Sequence, residues 1–534
     1  MIRVLLASTI TLLAVTGCGT VRSLEQLDDR VHEVVRRAAE QEFGEVPPER
    51  AALNVYRTFE SPGEEAVKLD LRSALLLAAR HSRDYQSDRE TLYRSALSLL
   101  KTSHSWDTNV SNALSSVLGR NLDVPETSLT GDASIGLSQR FLSGATLTTR
   151  LAFDSIRYIA GDRRVNLSTL ASASLVQPLL SGRGPEVARE SLTQAERNLI
   201  YALRSFVRQR KGLLIDVADA YYNVLSAQDG LEIARQNLAN LTLSRERSEA
   251  LAEAGTVPQF QVDQARQREL SANASVVSRQ ESFQAAKDSL KRVLGLPLEA
   301  RIEVDRAELK KLADAELPDP PMTLDESRDH ALAHRLDHAT VRDRLEDTQR
   351  ATRIAADDLR ARLDLTLAAN ASSPTDDHLR AIVWDEGYLS AGVNAELPFD
   401  KTDEYIDYKN ALISEERQKR QVAKDRDDIT AGLRNVWRRL ASSREDIDIQ
   451  RLSVKLAEKR VDNTKMLFEF GRINIREQLD ARDDLINARN RYTEVIVEYR
   501  MNWLSLLYQL ELLPTEPDTL WSPALAAGTE PATP

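Results

Sequence analysis

Apolar residues recur every three or four positions along two long stretches of the chain. One of these apolar seams runs from Ile429 to Phe468, with polar residues at a few of its heptad positions. Apolar residues at heptad spacing over four or more heptads predict long coiled-coil helices. The other seam lies earlier in the chain, and its spacings of three and four alternate. It consists of Val217, Ala220, Val224, Ala227, Leu231, Ala234, Leu238 and Leu241.

A second pattern, strict alternation of apolar and polar residues, lies between these helical stretches. Leu389, Ala391 and Val393, for example, alternate with Ser390 and Gly392. Alternation of this kind predicts β-strands with one apolar and one polar face. Each run has about the ten residues that a tilted strand needs to cross a bilayer, although a half-buried sheet in water gives the same pattern. The predicted strand ranges are 131–154, 169–180, 361–371 and 387–399.

These ranges predict four strands per chain, which is too few to close a barrel. An open sheet edge in lipid would leave backbone groups unpaired, and known membrane barrels have at least eight strands. The barrel would therefore have to be shared between chains. Two chains would give eight strands and a filled interior, whereas three would give twelve and room for a pore.

Three pairs of similar segments show that the chain contains an internal tandem repeat. The pairs keep their order and lie 216 to 255 residues apart. An ordered internal repeat predicts tandem copies of one structural plan. The paired segments are LDLRSALLLAAR (69–80) and LDESRDHALAHR (324–335), SLVQPLLSG (174–182) and NAELPFDKT (394–402), and EAGTVPQFQVDQAR (253–266) and FGRINIREQLDAR (470–482).

The repeats predict the domain boundaries. The first copy covers residues 67–311 and the second covers residues 323–513, with a proline-rich linker at 312–322 between them. The tail at 514–534 is rich in Pro, Thr and Ala and is expected to be mobile.

Composition agrees with long helices and argues against nucleic acid as a partner. Glycine (20 residues) and proline (18 residues) are scarce for 534 residues, and aromatic residues make up only 5%. The net charge of −11 disfavours generic binding to nucleic acid. After the N-terminal segment, no run approaches the roughly 20 apolar residues of a membrane-spanning helix.

The N-terminus has the pattern of a bacterial lipoprotein signal. Arg3 precedes an uncharged apolar run at residues 4–15, and the stretch VTGC, which resembles a lipobox, ends at Cys18. We expect residues 1–17 to be a removed signal peptide, Cys18 to carry acyl chains such as palmitate, and 18–66 to be a lipidated extension. The alternative is an unmodified cysteine near a cleavage site. Cys18 is the only cysteine, so no disulfide within the chain is possible.

The sequence lacks the marks of an enzyme. It contains no GxSxG, HExxH or Walker motif and no cysteine pair, so we predict no catalytic residues and no cofactor. His330, His334 and His338 share a spacing of four, which would place them on one face of a helix. We interpret this set as a solvated face and predict no metal site, with weak adventitious metal binding as the alternative.

Taken together, these segments resemble outer-membrane efflux ducts of the TolC type, in the branch of outer-membrane factor lipoproteins. The resemblance covers roughly residues 67–513. It rests on the lipobox, the doubled LDxxxxxA helix start, the strand end QPLLSGRG (177–184), and the turn from Gly471 with LDA eight residues later.

The resemblance implies a mainly α fold with a β-barrel part. In this family a homotrimer forms a twelve-stranded barrel on an α-helical tunnel, and each chain contributes a tandem repeat of long coiled-coil helices plus four membrane strands. The implied location is the outer membrane, with a periplasmic tunnel and with the acylated N-terminus in outer-membrane lipid. Because Gly19 is not an aspartate, the lipoprotein signal resembles one for the outer membrane.

The resemblance also assigns the functional positions. Gly255 and Gly471 correspond to the tips of the helical hairpins, where an adaptor docks. Reversing the chain there requires a residue that tolerates positive φ.

Glu477 and Asp480 correspond to acidic residues that face the pore at the periplasmic gate. Arg472 and Arg476 flank the position where the family often carries an arginine, and with Arg482 they are the nearest candidates for contacts that hold the gate closed. The alternative for the two carboxylates is an ordinary solvated helix face.

The predicted function is therefore an outer-membrane channel of a tripartite export system, with a periplasmic adaptor and an inner-membrane pump as partners. A lipid-anchored coiled-coil scaffold without channel activity is the alternative. No residue in the sequence identifies the cargo, which could be a drug, a metal ion or a protein.

Overall fold

The computed structural model describes most of the chain between residues 23 and 514. The predicted signal peptide, Cys18, Gly471 and all of the predicted tail except Pro514 lie outside the described residues. The described ranges are 23–44, 66–120, 123, 126–160, 165–305, 307–315, 317–375, 381–397, 399–470 and 472–514.

Helices make up most of the described chain, and the longest lie where the heptad seams predict them. None of the helices in these ranges is long and apolar enough to cross a membrane. The helices are α1 (Leu24–Phe43), α2 (Leu71–His81), α3 (Arg83–His104), α4 (Pro185–Ala188), α5 (Glu190–Glu253), α6 (Gln259–Leu294), α7 (Ala307–Asp314), α8 (Leu324–His334), α9 (Leu336–Asp358), α10 (Thr402–Glu469) and α11 (Ile475–Gln509).

The strands form a two-stranded parallel sheet and a six-stranded antiparallel sheet. The small sheet pairs β1 with β6, and the large sheet has the order β2-β3-β4-β5-β7-β8. A short 3-10 turn at Trp384–Glu386 precedes the last strand. The strands are β1 (Val67–Leu69), β2 (Asn109–Arg120), β3 (Thr127–Arg140), β4 (Thr146–Ala160), β5 (Val165–Pro178), β6 (Ile302–Val304), β7 (Arg362–Ser372) and β8 (Tyr388–Glu396).

The strand count corrects the sequence prediction of four strands per chain. The range 131–154 is not one strand but parts of β3 and β4, joined by a tight turn at residues 141–145. The turn needs glycine at position 144, where φ is +89° and a Cβ atom would lie 2.6 Å from a backbone oxygen. Strand β2 was not predicted at all, because Asn112 and Ser116 interrupt the apolar alternation on one of its faces.

The chain divides into two compact units, each of which combines segments from both halves of the sequence. The first unit contains the six-stranded sheet and is drawn from residues 1–51, 91–203 and 341–422. The second contains the two-stranded sheet and is drawn from residues 52–90, 204–340 and 423–534. The duplication of the sequence therefore does not produce one compact unit per copy.

The order of helices repeats as the sequence predicts, with one change of register. Helices α2 and α8 begin at residues 71 and 324, which are 253 residues apart, whereas the matching letters are 255 apart. The capping boxes cause the difference, because the caps are Asp70 with Ser73 in the first copy and Thr323 with Glu326 in the second.

The second unit has a continuous apolar core along the predicted seams. Val217, Val224, Leu433 and Ile447 are buried, as the heptad spacing predicts. Each fully buried side chain of this size contributes about 1.5–3 kcal/mol relative to exposure. The core also contains Tyr221, whose hydroxyl donates a hydrogen bond to the carbonyl oxygen of Leu69 over 3.3 Å.

The three histidines at spacing four do not form a single solvated face. Helix α8 ends at His334 and α9 begins at Leu336, so His338 belongs to a different helix. His338 is buried, and its Nδ1 lies 2.7 Å from a carboxylate oxygen of Asp425. His330 and His334 stack with ring centroids 4.1 Å apart. The break comes between the helices, because the backbone at Arg335 is extended.

Candidate functional site

The six-stranded sheet has one apolar and one polar face along its whole width. The pairing of Leu365 with Val393 and of Ile135 with Leu151 places apolar side chains opposite one another on the same face. In the middle of the strands, the charged residues Asp132, Arg150 and Asp154 all lie on the other face. The strand pattern predicted from the sequence is therefore correct for both faces of β3–β5, β7 and β8.

Large side chains on the apolar face are exposed to an unusual degree. Leu114 is 87% exposed, Leu389 is 80% exposed and Val393 is 63% exposed. A continuous exposed apolar surface of this kind marks a site that contacts a membrane or another protein.

Aromatic side chains lie near both ends of the strands. We call the end with the 141–145 turn the turn end and the opposite end the loop end. Phe141 and Phe399 are exposed at the turn end, and Trp384 is exposed at the loop end. Aromatic residues at both margins of an apolar band are typical of strands that cross an outer membrane.

The first hairpin tip, in the second unit, joins α5 to α6 through a left-handed glycine. Gly255 has a φ of +73°, and no atom lies within 4 Å of the position that a Cβ would take. Its backbone N–H donates to Ala252 over 2.9 Å, and the N–H of Thr256 donates to Leu251 over 2.9 Å. These two bonds form a Schellman motif, which ends α5 and satisfies its last carbonyls.

The second tip joins α10 to α11 with a corresponding bond. The N–H of Arg472 donates to the carbonyl oxygen of Leu467 over 2.9 Å. Asn474 then caps α11, since its side-chain oxygen accepts a 3.1 Å hydrogen bond from the N–H of Glu477. The predicted tip residue Gly471 itself lies outside the described residues.

A small apolar cluster holds the helices of the two hairpins together near these tips. Leu241, Ala265, Ala272 and Leu479 are buried against one another, with Phe468 packed at the side. The cluster includes residues of both copies, so each hairpin supports the other.

Ion pairs beside this cluster link the two hairpins through one arginine. Arg268 on α6 donates from Nη2 to Asp480 over 3.0 Å and from Nη1 to Asp483 over 2.6 Å, both on α11. Arg476 lies 3.9 Å from the second oxygen of Asp480. All four side chains are partly exposed, so each pair contributes about 0–1 kcal/mol.

The structure thus brings together some of the predicted gate residues and separates others. Asp480 and Arg476 share the cluster, whereas the side chain of Glu477 is exposed and Arg472 has no ion pair among the described residues. Arg482 is not in the ion-pair cluster, because its Nη1 is buried without a hydrogen-bond partner in the described part of the chain.

Arg268 and Asp483 are the members of the cluster that the sequence reading missed. A comparison of the two copies could have found them. At the 216-residue spacing of the tips, Gln264 corresponds to Asp480, Gln267 to Asp483 and Arg268 to Asp484. At these positions the second copy carries three carboxylates, whereas the first copy carries one charged residue, Arg268. Arg268 pairs with two of the three carboxylates, Asp480 and Asp483.

Two groups at and beside this cluster have shifted pKa values. Burial raises the pKa of the Asp483 carboxyl, and the neighbouring carboxylates Asp480 and Asp484 add to the rise, while Arg268 opposes it. Burial also lowers the pKa of Arg482. In the described residues, no group of three or more His, Cys, Asp or Glu side chains is placed to hold a metal ion.

Comparison with known proteins identifies the fold. Residues 120–296 match the family model described as outer membrane efflux protein. The chain is similar to the CmeC outer membrane channel of Campylobacter jejuni, with 12% identity, a TM-score of 0.64, and coverage of 92% of this chain and 95% of CmeC. No curated protein matches the sequence.

Two further structures show the same likeness. The outer membrane protein VceC of Vibrio cholerae is 16% identical with a TM-score of 0.61, covering 82% of this chain and 95% of VceC. The open state of the MtrE outer membrane channel of Neisseria gonorrhoeae is 12% identical with a TM-score of 0.58, covering 87% of this chain and 91% of MtrE. The predicted resemblance to outer-membrane efflux ducts is therefore confirmed, and this chain has their fold.

Proposed function

We propose that this chain is the outer-membrane channel of a tripartite export system, with its six-stranded sheet as the membrane part. The observation that carries the proposal is the two-faced sheet. Its apolar face is exposed in the single chain, its charged residues in mid-strand lie on the other face, and its strands have 9 to 15 residues. Strands of about 9–11 residues, when tilted, cross a bilayer.

The channel would be a homotrimer, as the resemblance implies. One chain supplies an open sheet, and an open sheet in lipid has unpaired backbone groups that other chains must satisfy. The fold shared with CmeC and MtrE, which are described as outer membrane channels, supports this arrangement.

The hairpin tips around Gly255 and Gly471 would form the periplasmic entrance, where an adaptor docks and connects the channel to an inner-membrane pump. Asp480, Arg476 and Glu477 would line this gate, and the Arg268 ion pairs would help to keep it closed. Weak, partly exposed pairs suit a gate that partner binding must open.

Cys18 would anchor the mature N-terminus in the lipid of the outer membrane. One acylated residue holds a protein at a membrane surface without a membrane-spanning helix.

Single-channel recording tests the proposal. Protein purified in detergent and added to a planar bilayer should give discrete conductance steps, and unheated samples should migrate as trimers on denaturing gels. A coiled-coil scaffold would give neither steps nor trimer bands, and that result would contradict the channel function.

A further inference from the structure

We propose that the barrel closes through β2 of one chain and β8 of the next, so that a trimer has eighteen strands rather than twelve. This inference rests on the proposed channel function and trimer. Each edge strand of the large sheet would pair with an edge strand of another copy of this chain.

β2 and β3 belong to the same wall as the other four strands. β2 pairs with β3 without interruption from Asn109 to Arg120, and β3 pairs with β4 over its full length, with one register shift near Thr127. A hairpin that lay outside the wall would not continue its hydrogen-bond ladder so completely.

β2 also keeps the two faces of the sheet. Val110, Leu114 and Leu118 lie opposite Leu137, Ala133 and Leu129, on the apolar face. The alternate residues of β2 lie on the polar face, where the hydroxyl of Ser115 donates a 2.9 Å hydrogen bond to Asp132. Most of the large apolar side chains of β2 therefore lie on the face that the proposal assigns to lipid, and Val117, opposite Thr130 on the polar face, is the exception.

Neither β2 nor β8 has the features that protect a free sheet edge. Proteins discourage unwanted edge pairing with Pro, Lys, inward charges or bulges. β2 (NVSNALSSVLGR) and β8 (YLSAGVNAE) contain no Pro and no Lys, and their only charged residues, Arg120 and Glu396, are terminal. Both edges are thus suited to pairing with another strand.

The directions of the two edge strands also fit this closure. β2 runs from the turn end to the loop end, and β8 runs from the loop end to the turn end. Copies related by rotation about a barrel axis would therefore meet β8 against β2 in antiparallel orientation, like every other pair in the sheet. An even number of strands per chain is what allows this closure.

An eighteen-stranded barrel would have a larger diameter than a twelve-stranded one. Barrel diameter grows roughly linearly with strand number, so eighteen strands give about 1.5 times the diameter of twelve. Barrels of 16–18 strands leave an aqueous channel. The lining would be mostly small and polar, because the polar face includes Ser111, Ser134, Ser138, Ser172 and Ser174.

Disulfide trapping between chains tests the closing pair. In a Cys18→Ser background, which has no other cysteine, Val393→Cys on β8 is combined with cysteine at one apolar-face position of β2 at a time. Five such positions, 110, 112, 114, 116 and 118, cover the possible registers. Oxidation should give a covalent trimer as the main product for at least one pair.

Matched pairs place the second cysteine on β4 instead, at positions 147, 149, 151, 153 and 155 of the same face. This strand would meet β8 if β2 and β3 lay outside a twelve-stranded barrel. Within one chain, β4 and β8 are three strands apart, or about 14 Å, and β2 and β8 are five apart, or about 24 Å, so neither pair can form a disulfide internally. Only variants that still conduct in planar bilayers are compared.

Each outcome decides the proposal. Covalent trimers formed through cysteines on β2 and β8 would support an eighteen-stranded barrel. Covalent trimers formed through β4 and β8, or no covalent trimer with any pair, would contradict it. A particle mass of two chains would contradict both the eighteen strands and the trimer. Loss of conductance in the unmodified protein would instead contradict the proposed function. Strand counting in an electron cryomicroscopy map of the unmodified trimer provides an independent reading.

Discussion

At the scale of single residues, Arg268 is the side chain that links the two hairpins through ion pairs near their tips. It bonds to two carboxylates that would otherwise repel each other, and it joins the hairpin of the first copy to that of the second. Because the pairs are partly exposed, their total contribution is small, about 0–2 kcal/mol. If these pairs hold the proposed gate closed, the binding energy of a docking partner would be enough to open it.

We expect Arg268→Gln to open the tip more often. The variant removes both ion pairs and leaves Asp480 and Asp483 to repel each other, so the resting conductance in planar bilayers should rise. Arg266→Gln is the matched control, since Arg266 lies two residues away, is exposed and has no ion pair among the described residues. Equal conductance in the two variants would show that the Arg268 pairs do not hold the gate.

The double variant Glu477→Ala and Asp480→Ala tests the charge at the entrance. In a trimer each position would occur three times around one axis, and crowded carboxylates attract cations. We therefore expect lower cation selectivity and weaker block by multivalent cations. Unchanged reversal potentials in a salt gradient would identify these carboxylates as an ordinary solvated face.

At the scale of elements, a buried charge cluster fixes the end of α11 against α5 and the start of α9. Glu511, which follows α11 and has a φ of +59°, accepts a 2.8 Å hydrogen bond from Lys211 and another from Arg208. Arg208 also lies 3.4 Å from Asp337. Nothing in the periodicity of the sequence reveals this cluster, since the oppositely charged residues that pair in it are about 130–300 residues apart.

The cluster predicts a loss of stability in acid. Burial opposes ionisation of Asp337, but the hydrogen bond from Arg335 and the charge of Arg208 outweigh it and hold the pKa of this carboxyl below its ordinary value. A carboxyl whose pKa is lowered by folding stabilises the fold above its unfolded pKa, about 3.9, and loses that contribution as the pH falls through the folded pKa.

Thermal unfolding between pH 6 and pH 3 measures this effect. The unfolding temperature should fall below about pH 4, and Asp337→Asn should be less stable at pH 6 but lose less on acidification. Asp325→Asn serves as the control, because its side chain is largely exposed. If the unfolding temperature of Asp337→Asn changed with pH in parallel with that of the unmodified protein, Asp337 would not be the source of the acid sensitivity.

The strands make a separate prediction about faces. Arginine at Leu365 or Val393 should cost about 2–4 kcal/mol if these positions face lipid at mid-depth. Arginine at Thr366 or Asn394, on the polar face, should cost less. The yield of heat-resistant trimer after refolding into lipid measures the difference, and equal losses on both faces would show that the apolar face does not meet lipid.

At the scale of the whole molecule, the open sheet and the proposed lipid anchor would be two independent attachments to the membrane. The sheet would hold the assembled channel through its apolar face, whereas Cys18 would hold each chain through acyl groups. The two attachments can be separated experimentally, because only one of them depends on a single side chain.

We expect Cys18→Ser to remove the acyl groups without preventing assembly. Mass spectrometry of the mature protein should find an acylated Cys18 at the N-terminus of the unmodified chain and no acyl mass in the variant. Trimer bands should persist in both. An unmodified chain that starts at another residue and carries no acyl mass would contradict the anchor.

The long helices could be predicted from the sequence because their signal is local and repeated. The seam through Val217 and Val224 continues for several heptads, and a polar residue in one slot does not hide it. Strand β8 could be predicted for the same reason, since its alternation is complete. Strand β2 could not, because Asn112 and Ser116 break a pattern of only 12 residues.

The sequence by itself therefore determined the elements with strong periodicity and the duplicated order, and the family resemblance assigned the hairpin tip at Gly255, where the left-handed backbone favours glycine. Tertiary structure decided the number of strands, the burial of His338 and the partners of Asp480. These features depend on pairing between distant segments, and a side chain such as Arg268 shows its partner only when α6 and α11 are packed side by side. Periodicity reports which face of an element is apolar, but not which other element lies against it.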